Sequence, residues 1–311
     1  MGKLAFMFPG QGSQTSGMGK SFWQNSAGAK KVFAMANAVL NRNITKICFE
    51  DSDEELKQTI NSQPSILAVS LAALELFYEN SKVRPDYVLG HSLGEVSAYY
   101  AAGVLTLEDT FKLIQKRADA MQRAAQKTNG KMAAVIKADL NLIEDCLNMS
   151  KGAVSIANYN SAQQIVITGV AQDVDRVCEM LIEKGVKRVV PLAVSGAFHS
   201  WLMRDAAAEL SDFISEIKFS NAKIPVITNF DAQMTVNAND FKVKIIKQIY
   251  SSVRWCESVE NLVNNGVDTF IEFGSGKVLS GLVKKINPDV NVYNISEFED
   301  VKNVTEILGD R

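Results

Sequence analysis

The sequence predicts an α/β fold in which a small β-α-β-β-α-β unit is inserted into a larger lobe with a mainly parallel sheet. Short apolar runs alternate with longer helical stretches, a rhythm typical of parallel sheets covered by helices. Between residues 128 and 194 the order changes to β-α-β-β-α-β, which is the ferredoxin-like order. The chain has 311 residues, a length near which one hydrophobic core stops growing and a second lobe is favoured.

The first half of the larger lobe is defined by two strand candidates and the helices around them. LAFMF (4–8) and YVLG (87–90) are short apolar runs. Between them the clearest helical stretch covers 65–79, and we expect this helix to start just after Pro64. The turn GHSLGE leads from the second strand into another helix. A further helix opens at Thr106 with an acidic first turn, which is an N-cap signature.

The small unit and the end of the chain follow from the same pattern. Within the small unit we expect strands and helices at 131–138 (strand), 140–149 (helix), 153–158 (strand), 163–169 (strand), 171–184 (helix) and 186–194 (strand). The α/β rhythm then resumes with 224–229 (strand), 239–250 (helix), 269–273 (strand) and 290–295 (strand). We therefore assign 1–127 and 195–311 to the larger lobe and 128–194 to the small subdomain.

Composition and charge exclude several classes of function. The chain is 47% hydrophobic and 22% charged with a formal net charge of −2, so no bulk field favours nucleic acid or an anionic membrane surface. The first apolar run is too short for a signal-peptide core, and no apolar run approaches membrane-spanning length. The four cysteines are scattered without CxxC or metal-ligand spacing. They predict reduced thiols of a cytosolic protein and no metal site.

The turn Gly90-His91-Ser92-Leu93-Gly94 matches the nucleophile-elbow pattern G-x-S-x-G. An apolar strand precedes it and an Ala-rich helix follows it, which is the context that the motif requires. Ser92 would then lie at a helix N-terminus, where the Leu93 N–H is free to stabilise an oxyanion. The alternative is that Ser92 is only an N-cap on an ordinary turn between a strand and a helix.

Ser92 needs a base, because a serine hydroxyl is inert at neutral pH. The chain has two histidines. His91 adjoins Ser92, and on a tight turn its side chain should point away from the hydroxyl. His199 is therefore the predicted base, with an interior loop histidine as the alternative. Neither Asp205 nor Glu272 has a diagnostic spacing as the group that orients His199, so a backbone or amide oxygen is an open possibility.

The glycine-rich segment 8–21 follows the first strand and so lies at the carboxyl edge of the sheet, where α/β proteins place their sites. It contains two imperfect phosphate-binding motifs. Thr15 stands where the third Gly of G-x-G-x-x-G belongs, and Gln14 occupies the position of the first Gly of a P-loop. A nucleotide site is therefore disfavoured. With Gln11, this loop could supply the second oxyanion donor.

These motifs together resemble the malonyl-CoA:acyl carrier protein transacylase family, and the likeness covers essentially the whole chain. The shared segments, in chain order, are FPGQGSQ, GHSLGE, Arg117 in QKRADAMQ, Asn160 in NYNSAQQIVITG, SGAFHS, Gln248 in KQIYSSVRW and FGSGKVLSGL. The resemblance implies a hydrolase-like catalytic lobe with an inserted ferredoxin-like lobe. This chain departs from the family at Ala162, Ser252 and Ser275, where proline is common, and at Val96, where an aromatic is common.

The resemblance also implies roles for individual residues. Ser92 forms the acyl ester with His199 as base, and the backbone amides of Gln11 and Leu93 form the oxyanion hole. Gln248 holds His199 through an oxygen, and Arg117 pairs with the free carboxylate of the malonyl group. Besides Arg117, the resemblance assigns Phe198, His91 and Asn160 to substrate binding. Phe198 before His199 looks like the malonyl-selecting form.

Arg117 also fits the helical pattern. Leu107, Phe111, Ile114, Ala118 and Met121 form an apolar stripe on the helix. Arg117 lies on the border of this stripe, where an arginine that only snorkels to solvent is the alternative. A planar guanidinium in a dry pocket is suited to a carboxylate.

The expected function is transfer of malonyl from malonyl-CoA to the phosphopantetheine thiol of acyl carrier protein through a malonyl-serine, which supplies fatty-acid chain elongation. We expect no bound cofactor, no metal, no nucleic-acid or membrane partner, a monomer and a cytoplasmic location. Because acyl carrier proteins are usually acidic, Lys184, Lys187 and Arg188 are a candidate docking patch. The alternatives are an α/β-hydrolase-type esterase or thioesterase, and a non-enzymatic nucleotide-binding module.

Overall fold

The computed structural model describes residues 2–50, 53–194 and 196–309. Ser195, which begins both the motif SGAFHS and the second segment of the predicted larger lobe, lies outside the described residues. The same holds for Met1 and Arg311, the outer limits of that lobe. The predicted α/β fold with two sheets is confirmed.

The larger sheet has six strands in the order β10-β9-β1-β2-β7-β8. Its strands are β1 (Lys3–Phe8), β2 (Tyr87–Gly90), β7 (Val226–Ile227), β8 (Met234–Thr235), β9 (Val267–Phe273) and β10 (Asn291–Ile295). All neighbours pair in parallel except β7 and β8. The central strand β1 is buried on both faces, because Phe6 and Phe8 pack into one core cluster and Ala5 and Met7 into another. Burial on both faces explains its unbroken apolar sequence.

Helices cover both faces of the larger sheet. They are α1 (Lys20–Asn25), α2 (Ala27–Leu40), α3 (Ile44–Glu50), α4 (Asp53–Lys57), α5 (Thr59–Asn80), α6 (Gly94–Ala101), α7 (Leu107–Lys127), α10 (Arg204–Glu216), α11 (Ala238–Tyr250), α12 (Trp255–Asn264), α13 (Val278–Ile286) and α14 (Phe298–Leu308). A 3₁₀ turn at Trp201–Met203 precedes α10. The predicted helix at 239–250 corresponds to α11.

The smaller sheet has the order β4-β5-β3-β6, and all its pairs are antiparallel. Its strands and the helices between them are β3 (Gly130–Ile136), α8 (Leu140–Met149), β4 (Val154–Ser161), β5 (Gln164–Val170), α9 (Ala171–Glu183) and β6 (Arg188–Pro191). This is the predicted β-α-β-β-α-β order, and every element falls within 128–194. The division into domains at those boundaries stays a prediction.

The start of α5 differs from the expectation, because the helix begins at Thr59 and carries Pro64 inside it. Pro64 lacks the N–H that would bond the Ile60 carbonyl one turn earlier. The guanidinium of Arg42 replaces that donor, since its Nη2 lies 3.1 Å from the Ile60 oxygen. Its Nη1 also donates to Asn61 Oδ1 at 2.9 Å. A side chain from the connection between α2 and α3 therefore permits a proline inside the helix, where local rules would place it at the helix boundary.

Among the described residues, α5 is the one helix long and apolar enough, by length and composition, to cross a membrane. It has 22 residues and a mean hydropathy of 1.2, and 83% of its apolar window is buried inside the protein. The expectation that no apolar stretch reaches spanning length is therefore wrong. The burial is that of a core helix in a folded protein.

Two predicted strands are shorter in the structure. The strand expected at 186–194 is reduced to β6, because the Val186 N–H bonds the Leu181 carbonyl and closes the end of α9. The strand expected at 224–229 is reduced to β7. There Thr228 begins a turn in which its hydroxyl donates to Asp231 Oδ1 at 2.7 Å.

Candidate active site

The turn after β2 forms a strained elbow that presents Ser92. The backbone of Ser92 has φ 54°, a left-handed conformation that non-glycine residues seldom adopt. A Cβ on Gly90 would lie 2.0 Å from the backbone of Gly94, and one on Gly94 would lie 2.1 Å from the Phe8 carbonyl oxygen. Glycine is thus required at both ends of the motif, because the strand, turn and helix are in direct backbone contact.

His199 lies beside the serine hydroxyl, with its Nε2 2.8 Å from Ser92 Oγ. Its other ring nitrogen, Nδ1, lies 2.9 Å from the main-chain oxygen of Gln248. A carbonyl oxygen only accepts, so Nδ1 carries the proton and a neutral ring leaves Nε2 as an acceptor. Burial and the nearby Arg117 charge lower the pKa of His199 to about 3. The imidazole is therefore neutral near pH 7 and able to take the Ser92 proton.

The acidic residues considered for orienting His199 lie elsewhere. Glu272 accepts from the N–H groups of Leu279 and Ser280 at 3.1 and 2.8 Å, so it caps α13. Asp205 is exposed in the first turn of α10. The partner of His199 Nδ1 is the main-chain carbonyl of Gln248, and of the two alternatives left open, a backbone or an amide oxygen, the structure has the backbone oxygen.

Arg117 extends from α7 into the interior and is only 1% exposed. Its Nη2 lies 3.0 Å from Ser92 Oγ and 3.0 Å from Gln248 Oε1, and its Nη1 lies 2.7 Å from Gln63 Oε1. Its Nε is buried without a partner among the described residues. The alternative of an arginine that snorkels to solvent is therefore wrong. Burial lowers the pKa of Arg117 to about 10, which leaves the guanidinium charged at neutral pH.

A cavity of about 90 Å³ opens in front of Ser92. It is lined by Gln11, Gln63, His91, Ser92, Leu93, Arg117, Met121, Met132, Asn158, Leu192, Val194, Phe198 and His199. Both parts of the fold contribute, since Ser92 lies in the turn after β2 of the larger sheet, whereas Met132 belongs to β3 and Asn158 to β4 of the smaller sheet. A more open groove of about 540 Å³ between α8 and α12 contains none of the reactive groups. The small cavity is therefore where chemistry at Ser92 can occur.

The backbone groups expected to bind an oxyanion lie next to this cavity. Leu93 is the N-cap of α6, and within the described part of the chain neither its N–H nor that of Gln11 donates to a protein acceptor. The loop that carries Gln11 is held against the elbow, because the His91 N–H donates to the Phe8 carbonyl at 3.0 Å. The helix N-terminus and this loop thus leave two donors for a reacting carbonyl oxygen.

His91 does not contact the serine hydroxyl. Its Nε2 lies 2.8 Å from Asn160 Oδ1 on β4, and burial lowers the pKa of the ring. Asn160 is buried behind His91 and does not line the cavity, so its contact with a substrate stays a prediction. Phe198 does line the cavity, directly before His199, and its carbonyl accepts from the Thr168 hydroxyl at 3.0 Å.

Three further polar residues complete the site, and sequence reasoning did not single them out. Gln63 bonds Arg117, as described above. Asn229 accepts from the Ser92 N–H through Oδ1 and donates to the Gly90 carbonyl through Nδ2, both at 2.7 Å. Glu95 is buried behind the elbow. Asn229 ends the predicted strand IPVITN and Glu95 ends the motif GHSLGE, but neither position alone indicates these contacts.

No group of three or more His, Cys, Asp or Glu side chains among the described residues could hold a metal ion. The reactive groups that line the cavity include those of the serine, the histidine and the buried arginine. A neutral imidazole beside a hydroxyl, with a guanidinium on its other side, is suited to covalent acyl transfer.

Comparison with known proteins agrees with this chemistry. The model of a family described as "Acyl transferase domain" matches residues 5–292. The malonyl CoA-acyl carrier protein transacylase of Bacillus subtilis (strain 168) is 42% identical over 313 residues, covering 100% of this chain and 98% of the relative. The enzyme of the same name from Staphylococcus aureus (strain MRSA252) is 40% identical, covering 98% of this chain and 99% of the relative.

Solved structures are similar over nearly the whole length. The acyl-carrier-protein-S-malonyltransferase of Bartonella henselae superposes with a TM-score of 0.94 at 37% identity, covering 99% of this chain and 100% of that chain. A malonyl-transacylase of type II polyketide synthesis, solved in complex with its acyl-carrier protein, gives a TM-score of 0.95 at 32% identity and covers 98% and 99% of the two chains.

Proposed function

This chain belongs to the acyl transferase family, and we propose that it transfers malonyl from malonyl-CoA to the phosphopantetheine thiol of acyl carrier protein through an ester on Ser92. The observation that supports this most directly is the position of Ser92 Oγ, 2.8 Å from the neutral His199 Nε2 and 3.0 Å from the Arg117 guanidinium. The first group removes the proton, and the second stabilises negative charge on the oxygen.

In the first half of the reaction Ser92 attacks the thioester carbonyl of malonyl-CoA. His199 takes the hydroxyl proton as the new C–O bond forms, and the carbonyl oxygen becomes an oxyanion. The N–H groups of Leu93 and Gln11 donate to that oxyanion. When the intermediate collapses, the C–S bond breaks and the coenzyme A sulfur receives the proton from His199. Malonyl then remains as an ester on Ser92.

In the second half the phosphopantetheine thiol of the carrier attacks the same carbonyl. His199 takes the thiol proton, the C–S bond forms, and the C–O bond to Ser92 breaks. The proton returns to Ser92 Oγ, so the enzyme ends as it began. The narrow cavity excludes bulk water from the ester, which favours transfer over hydrolysis.

Arg117 selects the malonyl group by pairing with its free carboxylate. The guanidinium is buried, and its Nε has no partner among the described residues, so a donor is available for a ligand. A charge-assisted pair in a dry cavity is stronger than one in water. Phe198 and the methionines Met121 and Met132 bound the cavity, which leaves little room for a branched acyl group.

The carrier and the pathway are inferred from the relatives. The bacterial relatives are named malonyl CoA-acyl carrier protein transacylases, and one solved relative is bound to its acyl-carrier protein. We assign this chain to fatty-acid chain elongation in the cytoplasm, acting as a monomer without a bound cofactor. A hydrolase-type esterase is the weaker alternative, because it would use an acid behind the histidine where this chain has the Gln248 carbonyl.

The test is transfer of radioactive malonyl from malonyl-CoA to the protein and then to carrier protein. We expect Ser92→Ala to abolish labelling of the protein. The matched control is Ser97→Ala on α6, the helix that follows the elbow, because Ser97 Oγ is buried without a partner among the described residues. This control should label like the wild type. Persistent labelling of Ser92→Ala, or loss of label to water instead of to carrier protein, would contradict the proposal.

A further inference from the structure

A buried carboxylate lies behind the nucleophile elbow and does not reach the cavity. Glu95 is fully buried in the first turn of α6. Its Oε2 accepts from the Asn229 N–H at 2.7 Å and from Gln248 Nε2 at 3.0 Å. Its Oε1 accepts from the Tyr99 hydroxyl at 2.5 Å. Three donors thus converge on one side chain that touches neither Ser92 Oγ nor the cavity.

Resting on the function proposed above, we propose that Glu95 is a positioning residue for acyl transfer. It fixes the side-chain amide of Gln248 and the backbone of Asn229, and these two residues in turn hold Ser92 and Arg117 in the reactive arrangement. Glu95 therefore acts on the nucleophile through its neighbours and not on the substrate.

The first step of the argument concerns the amide of Gln248. A carboxylate only accepts hydrogen bonds, so Glu95 requires the NH₂ end of the amide to face it. That NH₂ also donates to the Ser92 carbonyl at 3.0 Å. The amide oxygen is then left for Arg117 Nη2, at 3.0 Å. In the flipped orientation the NH₂ would face the guanidinium, donor against donor, and Arg117 would lose that acceptor.

The second step concerns the strained backbone of Ser92. Its φ of 54° is unfavourable for a serine, so the surrounding contacts must hold it. The Ser92 N–H donates to Asn229 Oδ1 at 2.7 Å, and the Ser92 carbonyl accepts from Gln248 Nε2. Both holding residues bond Glu95 directly. Loss of this carboxylate would release the two contacts that fix the elbow.

The third step concerns charge. A buried ion is tolerated when it is paired and hydrogen-bonded. Burial raises the pKa of Glu95, and its three hydrogen bonds and the Arg117 charge act in the opposite direction to favour the ionised form. Glu95 and Arg117 are both buried and are linked through the Gln248 amide. The carboxylate also lies at the N-terminus of α6, where the helix dipole favours negative charge. The pair thus stabilises a guanidinium inside the protein, where it can meet a carboxylate substrate.

The test measures reactivity of Ser92 with an alkyl fluorophosphonate, which phosphonylates the serine oxygen and releases fluoride. This reagent has no carboxylate, so its reaction does not depend on malonyl recognition by Arg117. We expect Glu95→Ala to slow phosphonylation by about 30-fold or more, because charged hydrogen bonds that hold the elbow are lost. The dissociation constant for coenzyme A, measured by calorimetry, should change by less than about threefold.

Glu95→Gln should be phosphonylated at least about tenfold faster than Glu95→Ala. Its amide oxygen can accept from Asn229 and Gln248, while its NH₂ donates to the Tyr99 oxygen. Wild-type phosphonylation of Glu95→Ala would overturn the proposal. So would a folded Glu95→Gln as slow as Glu95→Ala, because that result would indicate a role of charge alone.

The matched control is Glu75→Ala. Glu75 also accepts from a tyrosine hydroxyl, that of Tyr100 at 2.8 Å, and in the described part of the chain it forms no hydrogen bond with the elbow residues 90–94. It should react like the wild type.

If Glu95→Ala does not fold, Gln248→Met is used for the test, since this substitution removes the side-chain amide and keeps the main-chain carbonyl at His199. A folded Gln248→Met that reacts at the wild-type rate would also overturn the proposal. Malonyl transfer by the wild type is assayed separately, so failure of the proposed function would be recognised independently.

Discussion

At the scale of single residues, the environment of His199 determines the pH range over which its ring is neutral and able to act as the proposed base. Histidine has an ordinary pKa of 6.5, and in this site it is lowered to about 3. Burial disfavours the charged ring, and the Arg117 charge disfavours it further. The hydrogen bond to the Gln248 carbonyl acts in the opposite direction but does not offset them. The His199 ring is therefore neutral well below pH 7.

We expect the single-turnover rate of Ser92 acylation by malonyl-CoA to stay constant between pH 8 and pH 6. A base with a pKa of 6.5 would lose about three quarters of its neutral form over that interval, but His199 should lose almost none. The measurement is rapid-quench labelling at each pH, with circular dichroism as the control for folding. A fourfold fall centred near pH 6.5 would contradict the lowered pKa of His199.

The reactive residues were predictable from sequence, whereas their supporting contacts were not. Ser92, His199 and Arg117 belong to recognisable motifs, and the structure brings all three together. Asn229 is 137 positions from Ser92 in the chain, and no local pattern indicates that its amide holds the elbow. Likewise, the position of Glu95 directly after the elbow motif predicts only an acidic residue in the first turn of a helix. Its burial is visible only when Asn229 and Gln248 are placed around it.

At the scale of elements, helix α7 carries one arginine that is buried beside Ser92 and another that is exposed on the protein surface. Arg117 points into the site, whereas Arg123 on the same helix is exposed and pairs with Glu209. A buried arginine that meets a carboxylate contributes far more than a surface ion pair. Substituting each arginine in turn therefore compares the loss of a buried charge with the loss of an exposed charge on the same helix.

We expect Arg117→Ala to lower the rate of malonyl transfer relative to acetyl transfer by about 30-fold or more, which is about 2 kcal/mol. Acetyl has no free carboxylate, so it loses no pairing with the guanidinium. The measurement is the ratio of kcat/KM for the two acyl-CoAs, and Arg123→Ala is the control that should keep the ratio. An unchanged ratio in a folded Arg117→Ala would rule out the carboxylate role.

Element boundaries were the less predictable part of the fold. The order of strands and helices follows from apolar periodicity, which depends on nearby residues. The start of α5 does not, because Arg42 supplies the donor that Pro64 lacks. The strand at 186–194 was predicted too long because apolar Val186 belongs to the turn that closes α9. In both cases a contact outside the local pattern decides where the element begins or ends.

At the scale of the whole molecule, the site depends on contacts between the segment that follows α11 and the smaller sheet. The segment after Gln248 lies against the edge strand β4, where the Tyr159 N–H donates to the Val253 carbonyl at 2.9 Å. The Val253 N–H donates to the Ala157 carbonyl at 2.8 Å, and Ser252 Oγ donates to the Ile156 carbonyl at 2.6 Å. These bonds fix β4, which borders the cavity, to the segment that follows Gln248, whose carbonyl accepts from His199. Ser252, a departure from the family's common proline, contributes one of these bonds.

The predicted docking patch belongs to the part of the chain that forms the smaller sheet. Lys184, Lys187 and Arg188 are exposed after α9 and at the start of β6. The neighbouring Ile182 and Val190 are also exposed, at 56% and 38%. Cationic groups around apolar side chains are suited to an acidic partner, since charge guides encounter and apolar contact follows.

We expect alanine at Lys184, Lys187 and Arg188 together to raise the KM for acyl carrier protein by about fivefold or more, because three attractive charges are lost from the encounter surface. The KM for malonyl-CoA should not change, since the cavity is untouched. Steady-state transfer with each substrate varied in turn measures both. The control removes the same charge from Lys31, Lys46 and Lys57, which are exposed on α2, α3 and α4. An equal rise in that control would show that net charge, and not this surface, determines carrier binding.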